Sequence, residues 1–253
     1  MNVTTFAPCH VLAPYVRAFE VVEAREETTR TLLPEAGLIV GFRFSGAATL
    51  LGEDLRVPDR VVTGLRSSVR RMRTSAGGGM VLAKFHTGAA APFVELGLHE
   101  LFGATCSLDE LFPRDELDEV EDRIALAGDH QDRVAAFEAF LLKRRCRARD
   151  RVALAAARAI QATPSIRVRA LADELGLSQD ALEKRFRREI GASPKRFASM
   201  LRLRSAIDSY GPGESLAQLA LDAGYYDQSH FIRDFREATG TAPRRFFEQE
   251  ELG

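Results

Sequence analysis

Apolar residues recur at helical spacing in two similar stretches of the C-terminal half. In the first stretch, residues 171–197, the side chains of Leu182, Phe186 and Ile190 are four apart. They therefore share one face of a helix. The second stretch, residues 219–246, repeats this pattern with one extra residue at the turn. Because each copy of a repeat is one structural unit, the two stretches predict the same small fold twice.

Each copy carries the signals of a helix-turn-helix. Gly176 and Gly224 end the first helix of each copy, where glycine accepts a left-handed backbone without penalty. Ser178 and Asp227 then cap the second helix with a side-chain oxygen. The predicted units cover about residues 168–190 and 216–239. The polar face of each second helix is left for solvent or for a DNA major groove.

A long helix is predicted between the two units, over residues 194–210. Ser193 caps it, Pro194 takes the first helical position, and Phe197, Leu201 and Ile207 line one side. The sequence Gly-Pro-Gly at 211–213 ends it. One rigid helix can hold the two recognition helices about one DNA turn apart, roughly 34 Å. An Ala-rich helix over residues 151–161 precedes the first unit.

The N-terminal half has a residue pattern typical of short strands from about residue 29 to residue 86. Apolar, β-branched and aromatic runs alternate with Gly, Pro and Asp, which predicts an antiparallel sandwich or barrel. The turn at Ser45 and Gly46 predicts pairing between residues 37–46 and 47–51. The other predicted strands are residues 60–65, 68–73 and 79–85.

Helical patterns follow the strands. Residues 93–102 predict a helix stopped by Gly103, and residues 114–149 predict two helices split near Gly128. The second of these carries an apolar stripe, which serves either as a dimer seam or as a cover for the sheet; it consists of Val134, Phe137, Phe140 and Leu141. We expect an α+β chain with a β-rich domain, a helical connector and an all-α domain, over residues 1–113, 114–150 and 151–253.

Charge and composition give modest further evidence about the class of protein. Residues 151–247 hold 16 Lys and Arg against 11 Asp and Glu, a net charge of +5, whereas the whole chain is −1. A basic segment favours phosphate binding, although a helical bundle with a solvated basic face has the same charge. No apolar run approaches a membrane helix, and the N-terminus has no signal-peptide pattern. Three scattered cysteines without a CxxC indicate reduced thiols in a cytoplasm. No spacing of His or Cys predicts a metal site, and no motif predicts a cofactor.

Two motifs carry a family resemblance. The second unit reads GYYDQSHFIRDF from Gly224 and ends GTAPRRF from Gly240. The first unit agrees through Ala172, Gly176 and Ser178 and through Gly191 and its neighbours. Over about residues 151–247 the chain resembles the AraC/XylS family of bacterial transcription regulators. Members often carry a β-rich, cupin-like N-terminal domain that binds an effector or dimerises, which the strand pattern fits.

The resemblance implies which residues read bases. In the first recognition helix these are Gln179, Asp180, Glu183 and Lys184; in the second they are Gln228, Ser229, Ile232 and Arg233. Arg can bond guanine bidentately and Gln suits adenine, whereas acids oppose phosphate attraction. We expect Asp180 and Glu183 to pair with Lys184 and Arg187 at i,i+4 spacing and to orient them; direct contact with bases is the alternative.

Two further sets of candidates are weaker. Phosphate contacts, or plain surface, are expected at Ser178, Arg187, Arg188, Ser193, Arg196, Arg244 and Arg245. An effector pocket for an anionic small molecule, or simply core and strand surface, is expected at Phe42, Arg43, Phe44, Lys84, Phe85 and His86.

The partners implied are double-stranded promoter DNA and RNA polymerase, with a small-molecule effector and a homodimer as further candidates. We expect no membrane partner and no catalysis. One alternative is a DNA alkyl-repair or modifying protein that uses Cys9 or Cys106, because Pro8-Cys9-His10 is weakly similar to the tripeptide of alkyltransferases. Another is a protein that coats DNA without sequence preference, which the near-neutral charge disfavours.

Overall fold

Strands make up about half of the first 107 residues in the computed structural model, which describes residues 1–144, 148–211 and 214–249. The strands are β1 (Asn2–Phe6), β2 (Val16–Ala24), β3 (Thr28–Leu32), β4 (Ile39–Ser45), β5 (Ala48–Leu51), β6 (Leu55–Arg56), β7 (Arg60–Thr63), β8 (Arg70–Thr74), β9 (Gly78–Phe85) and β10 (Thr105–Ser107). β1 and β2 lie before the region in which the sequence pattern predicted strands. Their acidic and polar residues, such as Glu20 and Glu23, hide the alternation.

The strands form two antiparallel sheets. One has the order β1-β2-β9-β4-β7-β10 and the other the order β3-β8-β5-β6. Apolar side chains of both sheets, including Leu50 and Val61, pack together between them. The N-terminal half is therefore a sandwich, which is one of the two architectures that the sequence predicted. Together with the helices that follow, it confirms the α+β fold class.

The predicted pairing of β4 with β5 is wrong. The turn at Gly46, with φ of +68°, passes the chain from one sheet to the other. Ala47 N–H donates to Ser75 Oγ at 2.9 Å and Ser75 N–H donates to the Ala47 carbonyl at 2.9 Å. These bonds direct β5 to β8, so the partner is chosen by a distant strand rather than by the adjacent turn.

The connector covers one face of the larger sheet. The helix predicted over residues 93–102 is instead two short 3-10 turns, Ala91–Phe93 and Leu98–Leu101, separated by an extended Gly97. The connector helices α1 (Arg114–Leu126) and α2 (His130–Lys143) then form as expected. Phe137 of the apolar stripe is fully buried and meets the Phe42 ring edge-on at 5.0 Å. The stripe is thus a cover for the sheet.

Seven helices form the C-terminal half as far as the structure describes it. They are α3 (Arg151–Ala162), α4 (Val168–Glu174), α5 (Gln179–Ile190), α6 (Pro194–Ser209), α7 (Leu216–Asp222), α8 (Gln228–Thr239) and α9 (Pro243–Gln249). Cys146 in the linker and the Pro212-Gly213 stop signal lie outside the described residues. Within the described ranges, no helix combines the length and the apolar character that crossing a bilayer requires.

Candidate nucleic-acid interface

The first helix-turn-helix is formed by α4 and α5. Leu171 of α4 packs with Leu182, Phe186 and Ile190 of α5, and each of these side chains is at most 2% exposed. Ser178 Oγ accepts a hydrogen bond of 3.2 Å from the Ala181 N–H, which caps α5 as predicted. One face of α5 is therefore fixed against the domain, and its other face is presented outward.

The second unit repeats this construction with α7 and α8. Asp227 Oδ1 accepts a hydrogen bond of 2.7 Å from the His230 N–H, and Phe231 and Phe235 are fully buried. This copy has one extra residue at its turn, where two tyrosines are adjacent. Tyr225 is 3% exposed and Tyr226 is 88% exposed. Burial raises the pKa of the Tyr225 hydroxyl, so this ring is a neutral part of the core.

Helix α6 joins the units and packs on both. Phe197 and Met200, in its first half, belong to the core of the first unit. Leu203 and Ile207, in its second half, belong to the core of the second unit. A helix of 16 residues is about 24 Å long, so each unit has its own section of one rigid rod.

The predicted base-reading side chains of α5 lie on its outward face. Gln179, Asp180 and Lys184 are exposed. Glu183 accepts hydrogen bonds from Gln179 Nε2 at 3.0 Å and from Arg187 Nη2 at 3.2 Å, as the pairing prediction requires. The second predicted pair is wrong, since the described residues include no ion pair between Asp180 and Lys184.

The corresponding side chains of α8 are mostly exposed, and Arg233 Nε lies 4.0 Å from Asp234 Oδ1. Gln228 and Ser229 are exposed in the first turn, and the Arg233 side chain is 75% exposed. Ile232 is partly buried against the core of the unit. The first turn of α8 therefore presents polar hydrogen-bonding groups, and Arg233 extends from the next turn.

The phosphate candidates fall into four groups. Arg188, Arg244 and Arg245 are exposed, whereas the hydroxyls of Ser178 and Ser193 cap α5 and α6. Arg187 is paired with Glu183, as described. Arg196 lies against the N-terminal domain instead: its guanidinium lies 4.7 Å from the centre of the Phe102 ring and donates to Ser67 Oγ at 3.3 Å.

A cleft of about 740 Å³ lies between the sandwich and helices α3 and α6. Three of the effector candidates, Lys84, Phe85 and His86, line it. The other three do not: Phe42 is fully buried in the core, Arg43 Nε lies 3.0 Å from Asp59 Oδ1, and the Phe44 ring lies under the Arg133 guanidinium at 4.5 Å.

Sequence reasoning missed the arginines of this cleft. Arg17, Arg149, Arg158 and Arg204 line it and come from both halves of the chain. Their positions in the sequence are far apart, so no local pattern relates them. Only the packing of α3 and α6 on the sandwich brings them together.

The environments of Cys9 and Cys106 give little support to a role of either thiol as a nucleophile. Cys9 is partly buried against the core of the sandwich and its backbone N–H donates to Glu138 Oε1 at 2.6 Å. Burial raises the pKa of the Cys106 thiol, and the nearby Glu110 carboxylate raises it further. A raised pKa disfavours the thiolate, which is the nucleophilic form. Among the described residues, no group of His, Cys, Asp and Glu is arranged to hold a metal ion.

Two helix-turn-helix units on one connecting helix place the C-terminal half in the helix-turn-helix class. Comparison with known families agrees. A model described as "Helix-turn-helix domain" matches residues 171–249, and one described as "Domain of unknown function (DUF6597)" matches residues 4–107.

The chain is also similar to individual proteins. It is 33% identical over 86 residues to the bifunctional transcriptional activator/DNA repair enzyme Ada of Escherichia coli (strain K12), covering 34% of this chain and 24% of that relative. The chain thus spans about a quarter of that relative's length. Among solved structures, ToxT from Vibrio cholerae is similar at 12% identity, with 92% of this chain and 98% of that chain covered and a TM-score of 0.49.

A probable AraC family transcriptional regulator from Rhodopseudomonas palustris CGA009 is 26% identical, with 40% of this chain and 97% of that chain covered and a TM-score of 0.35. The helix-turn-helix match coincides with the duplicated motif and its glycine and cap signals. Residues 171–249 of the chain thus form a helix-turn-helix domain.

Proposed function

We propose that the protein is a sequence-specific transcription regulator whose C-terminal half reads two successive major grooves of promoter DNA. The observation that carries this proposal is the pair of capped recognition helices mounted on the two halves of α6. A major groove admits one helix, and a rod of about 24 Å keeps two such helices on one side of a duplex. One protomer is therefore sufficient for both contacts.

Base reading is assigned to the outward side chains of α5 and α8. The exposed Arg233 is suited to bidentate bonding of guanine, and Gln179 and Gln228 are suited to adenine. Lys184 of α5 supplies a cation to the groove that the first unit reads. Glu183, held between Gln179 and Arg187, orients its neighbours. Asp180 has no such ion pair among the described residues, so it is the acid left to accept from cytosine N4.

Selection from a random-sequence duplex library tests the proposal. The purified full-length protein at physiological salt should enrich two sequence blocks about one helical turn apart, roughly 34 Å. Arg233→Ala should cost about 1–3 kcal/mol of specific binding and relax the preference at one base pair. Arg236→Ala removes an exposed charge from the same helix and is the matched control, which should leave the base preference unchanged. Enrichment without a motif would support the DNA-coating alternative instead.

The inter-domain cleft is proposed to hold a small anionic effector. Arg17 and Arg204 of its lining pair with Glu35 at 3.4 Å and Asp208 at 2.7 Å. In contrast, neither Arg149 nor Arg158 has an ion pair with a described carboxylate. Two cations that have no counter-ion among the described residues favour an anion in this cleft.

Benzoate and octanoate are suitable probes for this cleft. Either one should raise the melting temperature of the wild-type protein if it binds the folded state, because ligand binding stabilises by mass action. Arg158→Ala should abolish that rise, whereas Arg188→Ala, an exposed arginine on α5 that does not line the cleft, should not. An equal rise in all three proteins would contradict the assignment of the cleft.

The remaining parts of the proposal concern partners and cell biology. We place the protein in the bacterial cytoplasm, where it recruits or blocks RNA polymerase at its promoter without catalysing a reaction. A homodimer, if formed, requires a surface other than the apolar stripe of α2, because that stripe covers the sheet. Leu126 and Leu142 are the large apolar side chains that α1 and α2 leave exposed.

A further inference from the structure

The loop at residues 65–69, between β7 and β8, touches both helix-turn-helix units; we call it the brace loop. Its first residue contacts the first unit. Leu65 is 1% exposed and packs in the core of that unit with Phe186 and Ile190. The contact is close at the C-terminal end of α5, since a Cβ added to Gly191 would lie 3.2 Å from Leu65 Cδ1.

The middle of the brace loop contacts the helix that joins the units. Ser67 Oγ accepts a hydrogen bond of 3.3 Å from Arg196 Nη2, in the first turn of α6. The same guanidinium lies 4.7 Å from the centre of the Phe102 ring, which belongs to the N-terminal half. Arg196 is thereby held by the sandwich on two sides.

The last residue of the brace loop contacts the second unit. Val69 N–H donates a hydrogen bond of 2.8 Å to the Ala238 carbonyl, in the last turn of α8. The last four carbonyls of a helix have no partner within it, so this bond satisfies one of them from another domain. Val69 and Leu33 also pack against the apolar core of the second unit.

The brace loop is itself firmly anchored to the sandwich. Arg66 N–H donates to the Glu35 carbonyl at 3.0 Å, and Glu35 N–H donates to the Arg66 carbonyl at 3.1 Å. Arg66 Nη2 donates to the Leu33 carbonyl at 3.0 Å, and Gly103 N–H donates to the Leu65 carbonyl at 2.8 Å. Burial lowers the pKa of the Arg66 guanidinium to about 10, which leaves it charged at neutral pH. These bonds make the loop a fixed point rather than a flexible connection.

We propose that the brace loop is a positioning element that sets the separation of the two recognition helices, and thereby the spacing of the two DNA blocks that the protein accepts. Helix α6 is the covalent connection between the units and packs in the core of each. The brace loop adds a second contact at the C-terminal ends of both α5 and α8. Rocking by either unit would break packing at Leu65 or the hydrogen bond at Val69.

The test rests on the proposed two-block reading of DNA and uses the full-length protein. Affinity is measured for the selected duplex, for duplexes with one base pair added or removed between the blocks, and for a duplex with one block. One base pair shifts a block by about a tenth of a helical turn. We expect the wild-type protein to prefer the selected spacing by about tenfold or more, the size of a typical base-pair mismatch penalty.

Two variants loosen the brace at different points. Val69→Pro removes the N–H donor while keeping a side chain of similar size, and Val69→Ala keeps the donor and is its matched control. Leu65→Ala removes the packing of the brace loop against the first unit and decides the question if Val69→Pro does not fold. In both Val69→Pro and Leu65→Ala, the preference for the selected spacing should fall to about threefold or less. Affinity for the one-block duplex should stay at the wild-type value, and Val69→Ala should keep most of the preference.

The outcomes separate the brace from the proposed function. A merely structural role would weaken binding to every duplex by the same factor, including the one-block duplex. Folded Leu65→Ala protein that keeps the full spacing preference overturns the role of the brace loop while leaving the two-block reading intact. A wild-type protein without any spacing preference overturns the two-block reading, and the brace with it.

Discussion

Two glycines at equivalent places in the repeat allow the contact between the sandwich and the first unit to be measured. Gly191 ends α5 and Gly240 ends α8, each with a left-handed backbone, at φ of +103° and +76°. A Cβ at Gly240 would meet nothing within 4 Å. A Cβ at Gly191 would lie 3.2 Å from both Leu65 Cδ1 and the Leu98 carbonyl oxygen, which belong to the N-terminal half.

The two alanine variants should therefore differ in stability. Gly240→Ala carries the left-handed penalty of a β-carbon, about 1–2 kcal/mol. Gly191→Ala carries that penalty and an overpacking cost of about 1–3 kcal/mol, because Leu65 Cδ1 and the Leu98 carbonyl would both lie closer to the new Cβ than an ordinary contact allows. We therefore expect Gly191→Ala to destabilise the protein more than Gly240→Ala, and the difference in free energy of unfolding should equal the overpacking cost.

Thermal unfolding followed by far-ultraviolet circular dichroism is a suitable assay, since the chain has no tryptophan to report by fluorescence. For a chain of this size each kcal/mol lowers the melting temperature by about 2–4 °C. A double-mutant cycle with Leu65→Ala should show an interaction energy of about 0.5–3 kcal/mol, because the truncated side chain makes room for the new methyl group. Equal melting temperatures for Gly191→Ala and Gly240→Ala, with additive effects in the cycle, would refute the packing argument.

Three further outcomes are expected. Arg187→Ala should weaken binding to all duplexes alike and flatten the slope of log affinity against log salt by about one unit, whereas an unchanged slope would remove it from the phosphate contacts. Asp227→Ala should lower stability by about 1 kcal/mol in a denaturant titration through loss of the α8 cap, and Asp227→Asn should restore most of it. Because the pKa of the Cys106 thiol is raised, this thiol should react with iodoacetamide more slowly than glutathione does at neutral pH. Its reaction rate should increase only as the pH rises past the ordinary thiol pKa of about 8.5. A faster reaction at neutral pH would reopen the alkyl-acceptor hypothesis.

The C-terminal half was predictable because its signals are local. The caps at Ser178 and Asp227 and the left-handed glycines at Gly176 and Gly224 act within a few residues, and the structure has all four as expected. The repeat then gave each signal a second, independent occurrence. The predicted pair of Asp180 with Lys184 failed, since i,i+4 spacing permits an ion pair without requiring one.

The N-terminal half was harder because strand pairing is not local. β5 was expected beside β4, its neighbour in sequence, but its hydrogen-bonding partner β8 lies about twenty residues further on. The arginines of the cleft are more distant still, since Arg17 and Arg204 line the same cleft only when both halves of the chain have folded. The brace loop likewise reads as a plain inter-strand connection in the sequence, and its contacts with α5 and α8 appear only in the packed structure.

The central claim is that one protomer reads two successive major grooves, and hydroxyl-radical footprinting of the wild-type protein on its selected duplex tests it most directly. The account predicts two protected blocks on one face of the duplex, with centres about 10 base pairs apart, at a stoichiometry of one protomer per pair of blocks. A single protected block per protomer, or uniform protection along the duplex, would contradict it.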